Sequence, residues 1–284
     1  MKKLRYWLEY LLLRLVFEGF RTLPLDVASC MGGWMARALG PWLRAHKIAR
    51  QNLSEMMPEL NERQRRFLLN EMWENLGRVA AELPHVPYAT IHKRVQLEGA
   101  ENLPVGKPVL FFSGHLGNWE LLYAVPFQRG TAITLVYRRT NNPLVDDLVT
   151  AIRATQCTQL VAKGPKNAFK LMRAIKEKQS IALLIDQKMN DGISVPFFGR
   201  PAMTAPALAE IALRFDLPII PARVIRLKGA HFRIIVSPPL PYEKTGDTAA
   251  DVQAIMLKVN QIVEEWVREY PSQWFWVHRR WPKL

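Results

Sequence analysis

Cysteine is nearly missing from this 284-residue chain: Cys30 and Cys157 are the two, far apart in sequence. That excludes a disulfide framework and a paired-thiol zinc site, and it suits a reduced compartment. The six histidines are scattered singly and no His/Cys/Asp cluster has ligand spacing, so no metal is expected. A glycine-rich nucleotide fingerprint is also lacking, because neither Gly32-Gly33 nor Lys163-Gly164-Pro165 follows a good strand at the required spacing. No clean apolar run of about 20 residues exists. Glu9, Arg14, Glu18 and Arg21 interrupt the first apolar stretch, and Arg37 interrupts the second. No small-residue cleavage site follows an apolar core, so a cleaved signal peptide is not expected. Without repeats, low-complexity tracts or disordered linkers, the length suits one large α/β domain, or one such domain with a helical appendage. Acidic residues are the scarce charge: 39 Lys and Arg stand against 25 Asp and Glu, a formal net charge of +14. Such an excess favours anionic partners: nucleic acid, an anionic membrane face, phosphorylated lipid or an acidic carrier protein.

What is present begins with a basic and aromatic N-terminus. Lys2, Lys3 and Arg5 precede Tyr6-Trp7-Leu8, and leucines continue to Phe20. A second apolar stretch, residues 27–43, carries Trp34, Met35, Leu39 and Trp42. Amphipathic helices lying in the headgroup layer fit this pattern better than a spanning helix; if one segment does cross, the basic leader places the N-terminus in the cytoplasm. An ordinary amphipathic core helix is the other reading. Residues 1–43 are therefore expected to be membrane-associated helices and residues 44–284 the α/β domain.

Between Arg44 and Pro84 the periodicity is helical, broken at Pro58 and restarted at Asn61, with a stripe from Phe67 to Val79 that reads as core. After Gly99 strand and helix signals alternate, as a mixed, mostly parallel sheet flanked by helices requires. Strands are expected at 109–112, 133–137, 181–185, 219–224 and 232–236, and helices at 121–127, 144–155, 167–178, 205–214 and 248–270. The chemistry gathers at the first of these strands. An apolar run ends at Ser113-Gly114, which delivers His115 to the rim of the sheet, and Glu120 follows five positions later. On one helix that spacing separates two groups by roughly 140°. The pair therefore meets only if His115 lies in the turn and Glu120 in the start of the next helix. Glu120 would then accept from one ring nitrogen and leave the other free as a base; a surface histidine in a strand-to-helix loop is the other reading.

Four further groups fall on the loops and helices of the α/β body, and a fifth on the C-terminal segment. Arg138 and Arg139 follow a strand and could clamp a phosphate, Arg139 being the one expected to stay solvated. Arg153 sits on an apolar helical pattern and needs an anion opposite it, from the protein or from a substrate. Asp186, with Gln187 and Lys188, ends a strongly apolar strand, where site residues are favoured; a plain turn is the other reading. The segment 195–201 reads as an apolar loop whose Phe197 and Phe198 either line a groove for a chain or fold onto the core. The C-terminal segment 273–283 interleaves Trp274, Trp276 and Trp281 with Arg279, Arg280 and Lys283. That mixture suits a headgroup interface, stacking on single-stranded nucleic acid, or a buried tryptophan cluster.

Taken in order, Gly114-His115 with Glu120, Tyr137-Arg138 with Asn142-Pro143-Leu144, Asp186-Gln187, Pro196-Phe197-Phe198-Gly199 and Trp276-Val277-His278-Arg279-Arg280-Trp281 resemble the late acyltransferases of lipid A biosynthesis, the lauroyl/myristoyl branch of the lysophospholipid acyltransferase superfamily. Ala49-Arg50-Gln51-Asn52-Leu53 and Met57-Pro58-Glu59 resemble its N-terminal region, so the likeness covers nearly the whole chain. The broader superfamily usually has Asp where this chain has Glu120, which narrows the resemblance to the lipid A branch. The resemblance implies a glycerol-3-phosphate acyltransferase-like fold and transfer of a fatty acyl group from acyl carrier protein to a hydroxyl of a phosphorylated lipid A precursor, at the cytoplasmic face of the bacterial inner membrane. It implies His115 and Glu120 as catalytic residues and Arg138, Arg153, Asp186, Phe197, Phe198 and Arg279 as substrate-binding ones. No cofactor and no nucleic-acid partner are implied. A lysophospholipid acyltransferase using acyl carrier protein or acyl-coenzyme A, and a basic membrane- or nucleic-acid-binding protein without catalysis, remain the alternatives.

Overall fold

The computed structural model describes residues 2–103, 107–128 and 130–282, so Lys283 of the C-terminal segment lies outside the described residues. Helices α1 (Lys2–Thr22), α2 (Leu25–Leu39), α3 (Arg44–Met56), α4 (Glu62–Glu82) and the short α5 (Ala89–His92) precede every strand. Then come β1 (Val95–Glu98), β2 (Leu110–Ser113), α6 (Leu121–Gln128), β3 (Ile133–Tyr137), α7 (Pro143–Ala154), β4 (Gln159–Ala162), α8 (Ala168–Lys176) and β5 (Ser180–Leu184). The chain closes with β6 (Ile193–Phe197), β7 (Arg200–Thr204), α9 (Ala207–Phe215), β8 (Ile219–Arg226), β9 (Phe232–Val236) and α10 (Thr248–Glu269).

Seven strands form one sheet in the order β1-β9-β8-β2-β5-β3-β4. Only the β8–β9 pair is antiparallel, as a direct connection between neighbours permits; the other pairs run parallel through helical crossovers. This is the mixed, mostly parallel sheet expected from the alternation. Both faces are covered, and the pleat sorts the core in two. Leu110 and Phe112 of β2 pack on one side with α8, α9 and α10, while Val109 and Phe111 face α6, α7 and Phe17 of α1.

Local chemistry sets the helix starts. Asn61 caps α4 with a capping box completed by Gln64, and Asn142 caps α7 with Pro143 at its first position. Gly32 and Gly77 bring α2 and α4 together backbone to backbone: a Cβ on Gly77 would stand 2.1 Å from the Gly32 carbonyl oxygen. Among the described residues no helix is long and apolar enough to cross a membrane.

The segment expected to be an apolar loop is instead the β6–β7 hairpin, in which Pro196 faces Pro201. Proline removes a ladder donor, so the pair of prolines hid the strands. Strands β1 and β4 were also not expected. Each has four residues, too few for an alternation to stand out.

Candidate active site

The C-terminal ends of β2, β3, β4 and β5 converge on a cavity of about 540 Å³, within the range of small-molecule sites. Its floor is apolar, with Leu122, Leu135, Val149 and Leu184, and its rim carries His115, Arg138, Arg139, Lys163 and Gln187. Main-chain pairing of Lys163 N with Tyr137 O at 2.8 Å sets the ends of β3 and β4 side by side. That brings the Arg138 loop and Lys163 to one rim. Arg139, expected to be solvated, is exposed at the same rim.

His115 stands two residues beyond β2, and its partner is not Glu120. Nδ1 lies 2.7 Å from Asp186 Oδ1, while Asp186 Oδ2 accepts from the His115 backbone N–H at 2.8 Å and from Trp274 Nε1–H at 2.8 Å. A carboxylate can only accept, so Nδ1 carries a proton and, in the neutral ring, Nε2 keeps the lone pair. Gln187 Nε2 sits 3.3 Å from that nitrogen. Burial alone would raise the Asp186 carboxyl, but His115, through charge and two hydrogen bonds, and Trp274 outweigh it and hold the acid well below the usual carboxylate range. Strand geometry explains the pairing: β2 and β5 are parallel neighbours, with Ser113 opposite Leu184, so their first loop residues face each other at the sheet rim.

Glu120 is fully engaged elsewhere. Arg153 donates to both its oxygens, Nε at 2.9 Å and Nη2 at 2.5 Å. Tyr123 OH donates at 2.6 Å and Trp119 Nε1 at 3.1 Å. Those four donors use the acceptor capacity of the carboxylate, and none is left for the imidazole. Burial would raise this carboxyl too, yet the Arg153 charge and hydrogen bonds bring it below its usual value, with His115 a smaller influence through space. The same pairing raises the Arg153 guanidinium against its own burial. The anion required opposite Arg153 is thus Glu120, contributed from 33 residues away.

The loop between His115 and Glu120 is held from behind. Gly117 adopts φ +58°, and a Cβ there would meet the Val224 carbonyl oxygen at 2.4 Å. Asn75 of α4 donates to Gly117 O at 3.1 Å, and Asn118 donates to Glu82 Oε2 at 2.8 Å while accepting from Glu120 N at 3.2 Å. Glu82, completely buried, is paired with both terminal nitrogens of Arg226 at 2.5 and 2.9 Å. The loop therefore rests on the helical N-terminal part as well as on the sheet.

Other expected residues fall elsewhere. Phe197 and Phe198 are buried among Trp274, Trp276 and Trp281, away from the cavity lining, because the hairpin turns them inward. Arg279 is exposed, whereas Arg280 is fully buried and donates to Met203 O and Thr204 Oγ1, both at 2.7 Å. The C-terminal tryptophans thus form a core cluster rather than a headgroup belt. Phe275 also reaches the cavity, its ring centroid 5.6 Å from that of His115. Tyr123 and Asn118 were missed in the sequence. Tyr123 at i+3 from Glu120 was the available signal.

Compared with known proteins, residues 1–283 match the family model described as bacterial lipid A biosynthesis acyltransferase. A lipid A biosynthesis acyltransferase of Haemophilus influenzae is 25% identical over 289 residues, covering 97% of this chain and 90% of that protein. The lipid A biosynthesis lauroyltransferase of Escherichia coli is 26% identical, covering 97% and 92% respectively. The palmitoleoyltransferase of the same organism is 24% identical, covering 97% and 91%.

Proposed function

The chain belongs to the bacterial lipid A biosynthesis acyltransferase family, and from that premise we propose that it carries a fatty acyl group from the thioester of an acyl carrier protein to a hydroxyl of a phosphorylated lipid A precursor. That it is an acyltransferase of lipid A biosynthesis follows from the membership; the donor and the roles of single residues are the proposal.

His115 is the general base. The observation that carries this reading is the Asp186 carboxylate on Nδ1, which leaves Nε2 as the acceptor on the cavity rim. The acceptor hydroxyl displaces the Gln187 amide from Nε2 and gives up its proton there while its oxygen attacks the thioester carbonyl carbon. Collapse of the tetrahedral adduct breaks the C–S bond, and the imidazolium returns the proton to the leaving thiolate. The products are an ester and the free carrier thiol. Asp186 stabilises the imidazolium directly, and Glu120 does so through space while Arg153 and Tyr123 fix its position. The apolar cavity floor takes the acyl chain, and Arg138 at the rim meets substrate phosphate.

The N-terminal helices attach the enzyme to the membrane surface at the cytoplasmic face of the inner membrane. In support, α1 exposes Leu4, Trp7, Leu8, Leu11, Leu12 and Leu15, and Trp34 of α2 and neighbouring Trp42 are 70% and 87% exposed. Such a patch on a folded surface calls for a partner of low polarity. The test pairs purified protein with acyl carrier proteins of several chain lengths and a tetraacylated lipid A precursor. Transfer that falls about 10²–10⁴-fold in a folded His115→Ala variant is expected. Near-normal transfer by that variant overturns the mechanism. Acylation of lysophospholipid in place of the precursor overturns the acceptor.

A further inference from the structure

On the sheet face opposite α1 lies a concentration of positive charge that the chemistry above does not use. Between Lys163 and Lys178 the cations are Lys163, Lys166, Lys170, Arg173, Lys176 and Lys178, with Glu177 as the single acid. Among the described residues only Arg173 of these is ion-paired, to Glu177 at 2.7 Å. Helix α8 turns Ala174 and Ile175 into the core. Helical spacing then places Phe169, Lys170 and Arg173 along its outer side, and Lys166 stands exposed in the 3₁₀ turn (Pro165–Asn167) just before it. Phe169 is 59% exposed there, an aromatic ring set among cations.

The position of this face matters as much as its charge. Lys163 lines the cavity rim, and α8 begins five residues later, so the cationic face runs outward from the mouth of the acyl cavity. Resting on the carrier-protein reading of the donor, we infer that the outer face of α8 is the docking surface for the acidic acyl carrier protein. The cations meet its acidic side chains, Phe169 supplies an apolar anchor, and docking at the cavity rim directs the acyl arm to His115. Nine residues of helix extend about 13 Å. So short and polar an interface suits a partner that must leave after every turnover. A lipid headgroup layer is the less fitting occupant. The exposed leucines and Trp7 of α1 sit with α7 on the other side of the sheet, as Phe17 and Leu148 share one core cluster while Ala174 and Ile175 belong to the other.

The experiment compares the full-length parent with Lys166→Glu/Lys170→Glu and, separately, Phe169→Ala, using two donors: an acyl carrier protein and an acyl-pantetheine thioester lacking the protein. The charge-reversed variant is expected to raise KM for the carrier by at least about tenfold, with a weaker salt dependence than the parent. It should leave KM for acyl-pantetheine within about twofold and vesicle flotation unchanged. Phe169→Ala should raise the carrier KM alone, without altering its salt dependence. An unchanged carrier KM, an equal rise for both donors, or loss of flotation with carrier kinetics intact overturns the assignment, the last in favour of a headgroup site. A parent that turns over acyl-pantetheine or acyl-coenzyme A but no carrier overturns the donor reading itself, and is seen before any variant is made.

Discussion

Replacing Asp186 by Asn should disable the enzyme by moving one proton rather than by unfolding the site. In the parent, Asp186 Oδ2 accepts two N–H groups, from His115 and Trp274, and Oδ1 accepts a third from the ring Nδ1. An asparagine has one carbonyl oxygen and one NH₂. If the oxygen serves the two fixed N–H donors, the NH₂ faces Nδ1, which must then accept. The ring proton moves to Nε2, and the lone pair on the cavity rim is gone. Recovering the active tautomer requires turning the amide so that NH₂ opposes two buried N–H groups, at about 1–3 kcal/mol each. A combined cost of about 2–6 kcal/mol corresponds to a loss of roughly 30-fold to 3 × 10⁴-fold in kcat. The fold keeps a near-isosteric side chain, so the melting temperature should change far less than activity. Initial rates at saturating donor and acceptor measure the loss, and ¹⁵N spectra of the His115 ring report the tautomer. A folded Asp186→Asn enzyme within about threefold of the parent rate would refute the reasoning.

Arg153→Lys should lower kcat by about 10–100-fold and stability by about 1–3 kcal/mol, because an ammonium cannot reproduce the two-pronged contact to a buried carboxylate; steady-state rates and thermal melts of the variant check both. Gly117→Ala places a Cβ 2.4 Å from the Val224 carbonyl oxygen at a left-handed backbone position. It should lower the melting temperature by several degrees, roughly 1–3 kcal/mol of strain, and lower the transfer rate by displacing the loop from His115 to Glu120. A Gly117→Ala enzyme with parental melting and rate would remove the claim that this loop is held rigidly. His278 accepts from Lys188 N at 2.9 Å through Nε2 and, mainly through burial, is pushed down to about 4 from an ordinary 6.5. The unfolded chain therefore binds the proton first as pH falls, and this contribution to stability is lost between about pH 6.5 and 4. In His278→Gln, whose amide oxygen accepts at any pH, melting temperature should fall less steeply across that window than in the parent.

Local patterns decided much of this protein. The alternation of apolar runs and helical periods after Gly99 is enough for a mostly parallel sheet, and a strand ending in glycine is enough to place His115 on its rim. Arg153 on an apolar helix announces its need for an anion, because an unpaired buried guanidinium is too costly to keep. What no local pattern holds is who answers that need. Glu120 lies next to His115 in the chain, yet four donors claim it, and the imidazole takes Asp186 from the neighbouring strand end 71 residues on. Both partners were visible as residues. The parallel pairing of β2 with β5 and the crossover through α7 chose between them, since contact depends on strand order and not on sequence distance. The C-terminal tryptophans show the same limit from the other side. Aromatic and cationic residues in one segment suit a membrane interface or a core equally in composition, and only the hairpin β6–β7 closing over Trp274, Trp276 and Trp281 puts them inside. The prolines that obscured that hairpin remove strand donors locally, while packing of Phe197 and Phe198 against the tryptophans stabilises it from a distance.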